Sequence, residues 1–176
     1  MSEVRFAIGD FVVYKTDGVC RISDIRSENF SGDNERDYFV LSPVGAAGTV
    51  TYVPVDLDNL SRFMRRVLSR AEIDEAIDLS KTAECEWIEN SKMRAAHFKD
   101  ILTEGDTVRI LWIIKVLSLL KCEIEKNRRK MYISDMRALE AAEKAITDEF
   151  SFVLDIPKTD VMEYILRRVG ADFDRI

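Results

Sequence analysis

The sequence predicts an α+β protein, in which a small β-domain is followed by an all-helical domain of about five helices. In roughly the first 56 residues, short β-branched and aromatic runs alternate with turn residues, and after them the apolar period becomes helical. Strands and helices are thus segregated along the chain, which is typical of α+β folds or of two domains. The chain has 176 residues, enough for two small domains, which we place at 1–56 and 57–176.

Four short strands are predicted in the N-terminal part. Residues 10–14 and 19–25 flank a turn at Gly18, which is free to adopt a positive φ. A polar stretch over 27–36 predicts a loop, and further strands follow at 38–41 and 49–53. Pro54 ends the last strand because it has no N–H. So many short strands in so few residues favour a strongly bent sheet or an SH3-like barrel.

Helix-start and helix-stop residues divide the C-terminal part. Ser69 and Glu72 have the spacing of a capping box, which predicts the start of the first helix. The next helices are predicted over about 83–103, ending at Gly105, and over about 106–126.

The fourth helix is predicted over about 135–153, with Ser134 as its cap. We expect its inward face to carry the apolar residues Met136, Leu139, Ala142, Ile146 and Phe150. Pro157 interrupts the pattern, Thr159 is expected to cap a last helix, and Gly170 fits the position after its end.

The composition is that of an ordinary globular protein, with 47% hydrophobic and 33% charged residues. No apolar run approaches the ~20 residues of a membrane span, and the N-terminus lacks the apolar core of a signal peptide, so we expect a cytoplasmic protein without membrane contact. The three scattered cysteines favour reduced thiols over a disulfide framework or a zinc site.

Signs of catalytic chemistry are few. The single histidine, His97, lies in a predicted helix, where a structural role is favoured over that of a catalytic base. Glycine-rich loops of the kinds that cradle nucleotide phosphates do not occur in the sequence. We therefore expect a protein that is not an enzyme and that has no cofactor, metal or small-molecule substrate; an uncharacterised enzyme is the weaker alternative.

Trp87 is the first feature that suggests binding. Its immediate neighbours are mostly polar, so it is a candidate for an interface hot spot or for a wedge against a base step of DNA. The alternative is that Trp87 packs across a seam between helices. Trp112 differs because apolar residues surround it, which predicts a core position.

Two groups of cations could hold phosphates. Lys92, Arg94 and Lys99 are predicted in one helix with Trp87, and the spacing of seven puts Arg94 on its face. The densest positive run in the chain consists of Lys126, Arg128, Arg129 and Lys130. A solvated helix face and a solvated loop are the respective alternatives.

The overall charge argues against a protein that binds nucleic acid unaided. The formal net charge is −6, and residues 67–176 contain 18 basic and 22 acidic residues. A weak DNA contact would suffice, however, if a partner held the chain beside DNA.

Several motifs recur in the order and spacing found in one protein family. The chain resembles CarD/CdnL-type transcription regulators, and is closest to the branch found in clostridia-like bacteria. The first of these motifs, Phe6-x-x-Gly9-Asp10-x-Val12-Val13-Tyr14, lies in a module that also occurs in the transcription-repair coupling factor. Later ones are Tyr38-x-Val40-Leu41, Tyr52-Val53-Pro54-Val55, Met64-Arg65-x-Val67-Leu68-Ser69-x-x-Glu72, Trp87-Ile88-Glu89 and Leu154-Asp155-Ile156-Pro157-Lys158.

The resemblance implies a Tudor-like N-terminal domain that docks on the RNA polymerase β subunit by strand addition. The implied docking residues form the predicted strand over 49–53, namely Thr49, Val50, Thr51, Tyr52 and Val53, and the loop before this strand contributes as well. Tyr52 stands where the family commonly has an arginine that helps docking.

The resemblance also implies that the helical domain contacts promoter DNA at the upstream edge of the transcription bubble and alters open-complex stability. By analogy Trp87 is the wedge, while Lys92, Arg94 and Lys99 hold the DNA backbone. A different class of function remains open: an adaptor that binds polymerase or another partner without engaging DNA.

Overall fold

The computed structural model describes residues 6–14, 17–30, 35–46, 48–83 and 85–169. The chain divides into two compact units, Met1–Val67 and Leu68–Ile176. In the described residues every strand lies in the first unit and all five α-helices lie in the second, which confirms the α+β class.

The first unit contains one antiparallel sheet of five strands in the order β4-β3-β2-β1-β5. Within the described ranges β4 pairs only with β3 and β5 only with β1, so the sheet is open and the expected barrel closure is not seen. The strands are β1 Phe11–Tyr14, β2 Gly18–Glu28, β3 Arg36–Pro43, β4 Thr51–Pro54 and β5 Met64–Arg66.

The β2–β3 pair is longer than the sequence indicates. Glu28 pairs with Arg36, so the polar stretch predicted as a loop over 27–36 is strand at both of its ends, and its centre, 31–34, lies outside the described residues. The register shifts between Ile22 and Asp24, and a bulge at this place bends the sheet.

One face of the sheet carries the core of the first unit: Val12, Cys20, Ile22, Phe39, Leu41, Val53 and Met64. Met64 belongs to β5, whose pairing with β1 matches Val12 with Arg66. Because β5 completes both the sheet and its core, the predicted boundary at residue 56 falls inside the first unit, and the division lies after Val67.

The second unit consists of α1 Arg70–Thr82, α2 Ser91–Glu104, α3 Thr107–Lys126, α4 Ile133–Leu154 and α5 Lys158–Arg168. They enclose a cluster of buried side chains, which includes Phe98, Leu111 and Phe150. Trp112 is 7% exposed within this cluster, so its predicted core position is confirmed.

The ends of the first helices follow local rules. Ser69 and Glu72 form the predicted capping box, and Gly105 ends α2 with φ 74°, the left-handed conformation that glycine favours. The sequence predicts that α2 begins at about residue 83, whereas in the structure it begins at Ser91. Asn90 caps this helix by accepting hydrogen bonds from the N–H groups of Lys92 and Met93, both at 3.1 Å.

The predicted caps of α4 and α5, Ser134 and Thr159, are wrong. Ser134 lies inside the first turn of α4, which begins one residue earlier with Tyr132 at the cap position. Pro157 occupies the cap position of α5, and Thr159 donates to Asp160 instead. Gly170 lies outside the described residues.

None of the helices in the described ranges combines the length and the apolar character that crossing a membrane requires.

Candidate functional site

Trp87 lies in the non-helical segment that joins α1 to α2, four residues before α2 begins. It is partly buried and packs against the helical core. Its ring centroid is 6.4 Å from that of the fully buried Phe98. The indole therefore has one face toward the unit's interior while part of its surface stays in contact with solvent.

Arg94 covers the Trp87 ring, with the guanidinium carbon 4.4 Å from the ring centroid. Only 3% of Arg94 is exposed. Nε and Nη2 donate to the two carboxylate oxygens of Asp135 at 3.1 and 2.6 Å, and Nη1 donates to the carbonyls of Ile88 and Glu89 at 2.6 and 3.0 Å. All three guanidinium nitrogens are thus bonded inside the unit.

These four bonds tie three parts of the helical unit together. Asp135 lies in the first turn of α4 and is completely buried, while Ile88 and Glu89 belong to the segment that carries Trp87. A buried charge is tolerated because it is paired and hydrogen-bonded. In this structure the Arg94 side chain is therefore not exposed to a DNA backbone, and it packs on Trp87 instead.

The expected same-face relationship between Trp87 and Arg94 does not hold either. Residues 85–90 are not helical, so a spacing of seven does not correspond to two helical turns. The contact arises because the chain turns at Asn90 and folds Trp87 back over the first turn of α2.

The other predicted cations are all exposed: Lys92, Lys99, Lys126, Arg128, Arg129 and Lys130. None of their side chains forms a salt bridge with another residue in the described ranges. Lys92 lies in the first turn of α2. Lys126 ends α3, and Arg128, Arg129 and Lys130 lie in the connection from α3 to α4.

The Arg94–Asp135 pair brings most of these cations to one end of the unit, because it joins the first turns of α2 and α4. Lys130 and Asp135 are five residue steps apart, which span at most about 18 Å of chain. Lys99 lies about 10 Å further along α2 than Lys92, away from that end.

The same end carries exposed apolar side chains that the sequence did not predict. Met93 is 63% exposed beside Arg94, and Met136, expected to face inward, is 43% exposed beside Asp135. Tyr132 and Ile133, at 64% and 65%, stand just before them on α4. The other inward predictions for α4 are confirmed, since Leu139, Ala142, Ile146 and Phe150 are buried. Trp87, these apolar residues and the cations other than Lys99 form what we call the basic end.

The implied docking strand divides into exposed and buried parts. Thr49 and Val50 are exposed ahead of β4, and Thr51 and Tyr52 are partly buried within it. Val53 is 1% exposed and belongs to the core, so its side chain is not available to a partner.

The groups that most often carry catalysis have structural surroundings. His97 is partly buried beside Phe98, and its Nε2 has no hydrogen-bond partner among the described residues. The cysteines are free, and burial raises the pKa of the Cys20 thiol to about 11. No cluster of three acidic, histidine or cysteine side chains that could hold a metal ion occurs in the described residues.

A comparison with known families finds a match over the first unit. The family model described as the CarD-like/TRCF RID domain matches residues 6–68, which run from just before β1 to just after β5. A search of the curated proteins found no match for the chain. The first unit is therefore similar to the RNA polymerase-interacting domain of CarD-like proteins and of the transcription-repair coupling factor.

Proposed function

We propose that the chain is a non-enzymatic cytoplasmic regulator of transcription initiation, related to CarD-type regulators of the clostridia-like branch. In this proposal the first unit binds the RNA polymerase β subunit, and the helical unit contacts promoter DNA at the upstream edge of the bubble and alters open-complex stability. The observation that carries the proposal is the family match, which covers the whole sheet unit from β1 to β5.

The free side of β4 supports the polymerase contact. An edge strand presents backbone groups that its own sheet does not pair, and an extended segment of a partner can add to them. β4 is such an edge, and the exposed Val50 lies directly before it. The predicted docking residues therefore lie at a place where strand addition is physically possible.

The basic end supports the DNA contact. Its exposed charges over 126–137 are all positive, because Asp135, the one acidic residue there, is buried against Arg94. Cations position phosphates, and a partly exposed indole with nearby apolar side chains is the kind of surface that leans on a base step. The exposed Glu89 and Glu125 stand close by in the sequence, so the contact is weak and depends on tethering by polymerase.

Footprinting of polymerase–promoter complexes tests this proposal. We compare wild type, Trp87→Phe and a Lys92→Ala, Lys130→Ala variant with Lys144→Ala, which removes an exposed lysine far from the basic end on α4. The first two variants are expected to shift the upstream bubble edge or change the open-complex lifetime, and Lys144→Ala is expected to do neither. Identical footprints and lifetimes with all variants would contradict the DNA contact.

The excess of acidic residues in the second unit favours one alternative, an adaptor that binds polymerase without engaging DNA. Residues 67–176 contain 22 acidic against 18 basic residues. If the chain is an adaptor, the variants bind polymerase as tightly as wild type, and adding the wild-type chain does not change the footprint. The same experiment therefore separates the two functions.

A further inference from the structure

We infer that the polymerase contact of the first unit is made largely by an aromatic cluster on the outer face of its sheet, formed by Phe30, Tyr38 and Tyr52. The occupant we assign to it is an extended segment of RNA polymerase that adds to β4 and covers the cluster with apolar side chains. This inference rests on the proposed polymerase function and names the surface that carries it.

The cluster lies on the face opposite the core. Phe39 and Val53 face each other across β3 and β4 within the core, so the residues that alternate with them, Tyr38 and Tyr52, lie on the other face. Phe30, two residues after β2, meets both tyrosine rings edge-on at centroid distances of 5.0 and 5.1 Å. The two tyrosine rings are 6.4 Å apart.

Phe30 is the most exposed member of the cluster. It is 62% exposed, the most exposed aromatic side chain in the described part of the first unit. Val50 and Val55, on either side of β4, are 49% and 38% exposed. The exposed Phe30 ring and the two tyrosine rings that it contacts form a contiguous apolar surface, which is typical of an interaction surface, whereas isolated apolar side chains are ordinary.

The backbone of β4 offers a partner few hydrogen bonds. The N–H of Val55 donates to the carbonyl of Asp37 at 2.9 Å, and such bonds alternate along an antiparallel pair. Val53 therefore also bonds toward β3, while Tyr52 and Pro54 face the free side. Because Pro54 has no N–H, Tyr52 presents the only outward N–H group of β4. A segment bound here must gain most of its affinity from side-chain contacts.

Two pairs of charges near the cluster are already formed within the unit. Asp24 and Arg26, on the outer face of β2, form a salt bridge at 2.7 Å, and Arg36 and Asp56 form another at 2.8 Å beyond the tyrosines. A partner with unpaired charges would have to compete with these bonds, whereas an apolar one need not. The surface thus favours apolar side chains in the polymerase segment.

Affinity for purified core RNA polymerase, measured without DNA, tests the inference with a matched pair of variants. Phe30→Ala removes an aromatic ring that is 62% exposed, and Leu79→Ala removes an apolar side chain that is 51% exposed on α1, outside the basic end. We expect Phe30→Ala to weaken binding about tenfold, as for a hot-spot residue, and Leu79→Ala to leave it unchanged. Phe30→Tyr keeps the ring and is expected to retain affinity, which separates loss of the contact from a general defect.

The remaining outcomes are also decisive. If wild type binds polymerase and Phe30→Ala binds equally well, the aromatic contact is overturned while the proposed function stands. If the folded wild-type chain does not bind polymerase at all, the proposed function itself fails. If Phe30→Ala changes the oligomeric state in solution but not polymerase affinity, the cluster joins two copies of the chain, and the inference is again overturned.

Discussion

The Arg94 guanidinium lies 4.4 Å from the centre of the Trp87 ring. It holds the segment with Trp87 against the start of α4, because its remaining bonds go to Asp135 and to the carbonyls of Ile88 and Glu89. The orientation of the proposed DNA wedge thus depends on a buried ion pair.

Arg94→Ala is expected to destabilise the helical unit by about 3–5 kcal/mol, because it leaves the buried Asp135 carboxylate without its partner. Denaturant unfolding followed by circular dichroism measures the loss. Lys158→Ala is the control, since its salt bridge with Asp148 is exposed, and such pairs contribute about 0–1 kcal/mol. Similar losses for both variants would show that the buried pair is no more important than a surface pair.

Arg94→Lys tests the positioning role separately from charge. Lysine keeps the positive charge but lacks the planar fork that bonds Asp135 in two places and stacks on the indole. Because the chain has two tryptophans, the emission is measured in a Trp112→Phe background, where Trp87 is the only one. We expect a red shift of the Trp87 fluorescence emission there and, in the chain that keeps Trp112, a changed open-complex lifetime with polymerase affinity unchanged. An unaltered Trp87 emission would argue that the indole is positioned independently of Arg94.

Asn90→Ala is expected to cost about 1 kcal/mol, because it leaves two N–H groups at the start of α2 without their acceptor. Thr159→Ala is the matched control, since Thr159 does not cap α5. Thermal unfolding of both variants measures the difference. An equal effect of the two substitutions would contradict the capping role of Asn90.

The sequence predicts features that depend on neighbouring residues, and misses those that depend on distant ones. The strand-then-helix order, the Ser69 capping box and the Gly105 helix end are local patterns, and the structure contains all three. The sequence predicts a start of α2 that is too early, because the residue types over 83–90 are compatible with a helix. In the structure the carbonyls of Ile88 and Glu89 accept hydrogen bonds from Arg94 instead.

The role of Arg94 could not be predicted because its partner is 41 residues away in the sequence. A surface cation and a buried one look alike until α4 is placed beside α2. In the same way, β5 is only three residues long and contains two arginines, so its strand character depends on its pairing with β1. Because β5 is not predicted from the sequence, the predicted domain boundary lies at residue 56 and not after Val67.

Cys20 is expected to resist alkylation in the folded protein. Burial raises its thiol pKa from 9.0 to about 11, which lowers the reactive thiolate fraction at neutral pH about 100-fold. The folded state holds this proton more tightly than the unfolded state, so the stabilisation is complete below about pH 9 and is lost as the pH rises towards 11.

Two measurements check the Cys20 prediction. Mass spectrometry after brief treatment with iodoacetamide should find Cys20 unmodified until the chain is unfolded. Cys20→Ala should lose less stability than wild type between pH 9 and 11. Rapid modification of Cys20 in the folded chain would contradict the burial of this thiol.

Binding of the full chain to purified core RNA polymerase, measured by titration in the absence of DNA, tests the central claim most directly. The account predicts saturable one-to-one binding, which an isolated β-subunit fragment carrying the docking lobe competes away. A folded chain that shows no binding to core polymerase, or binding that the β-subunit fragment does not reduce, would contradict it.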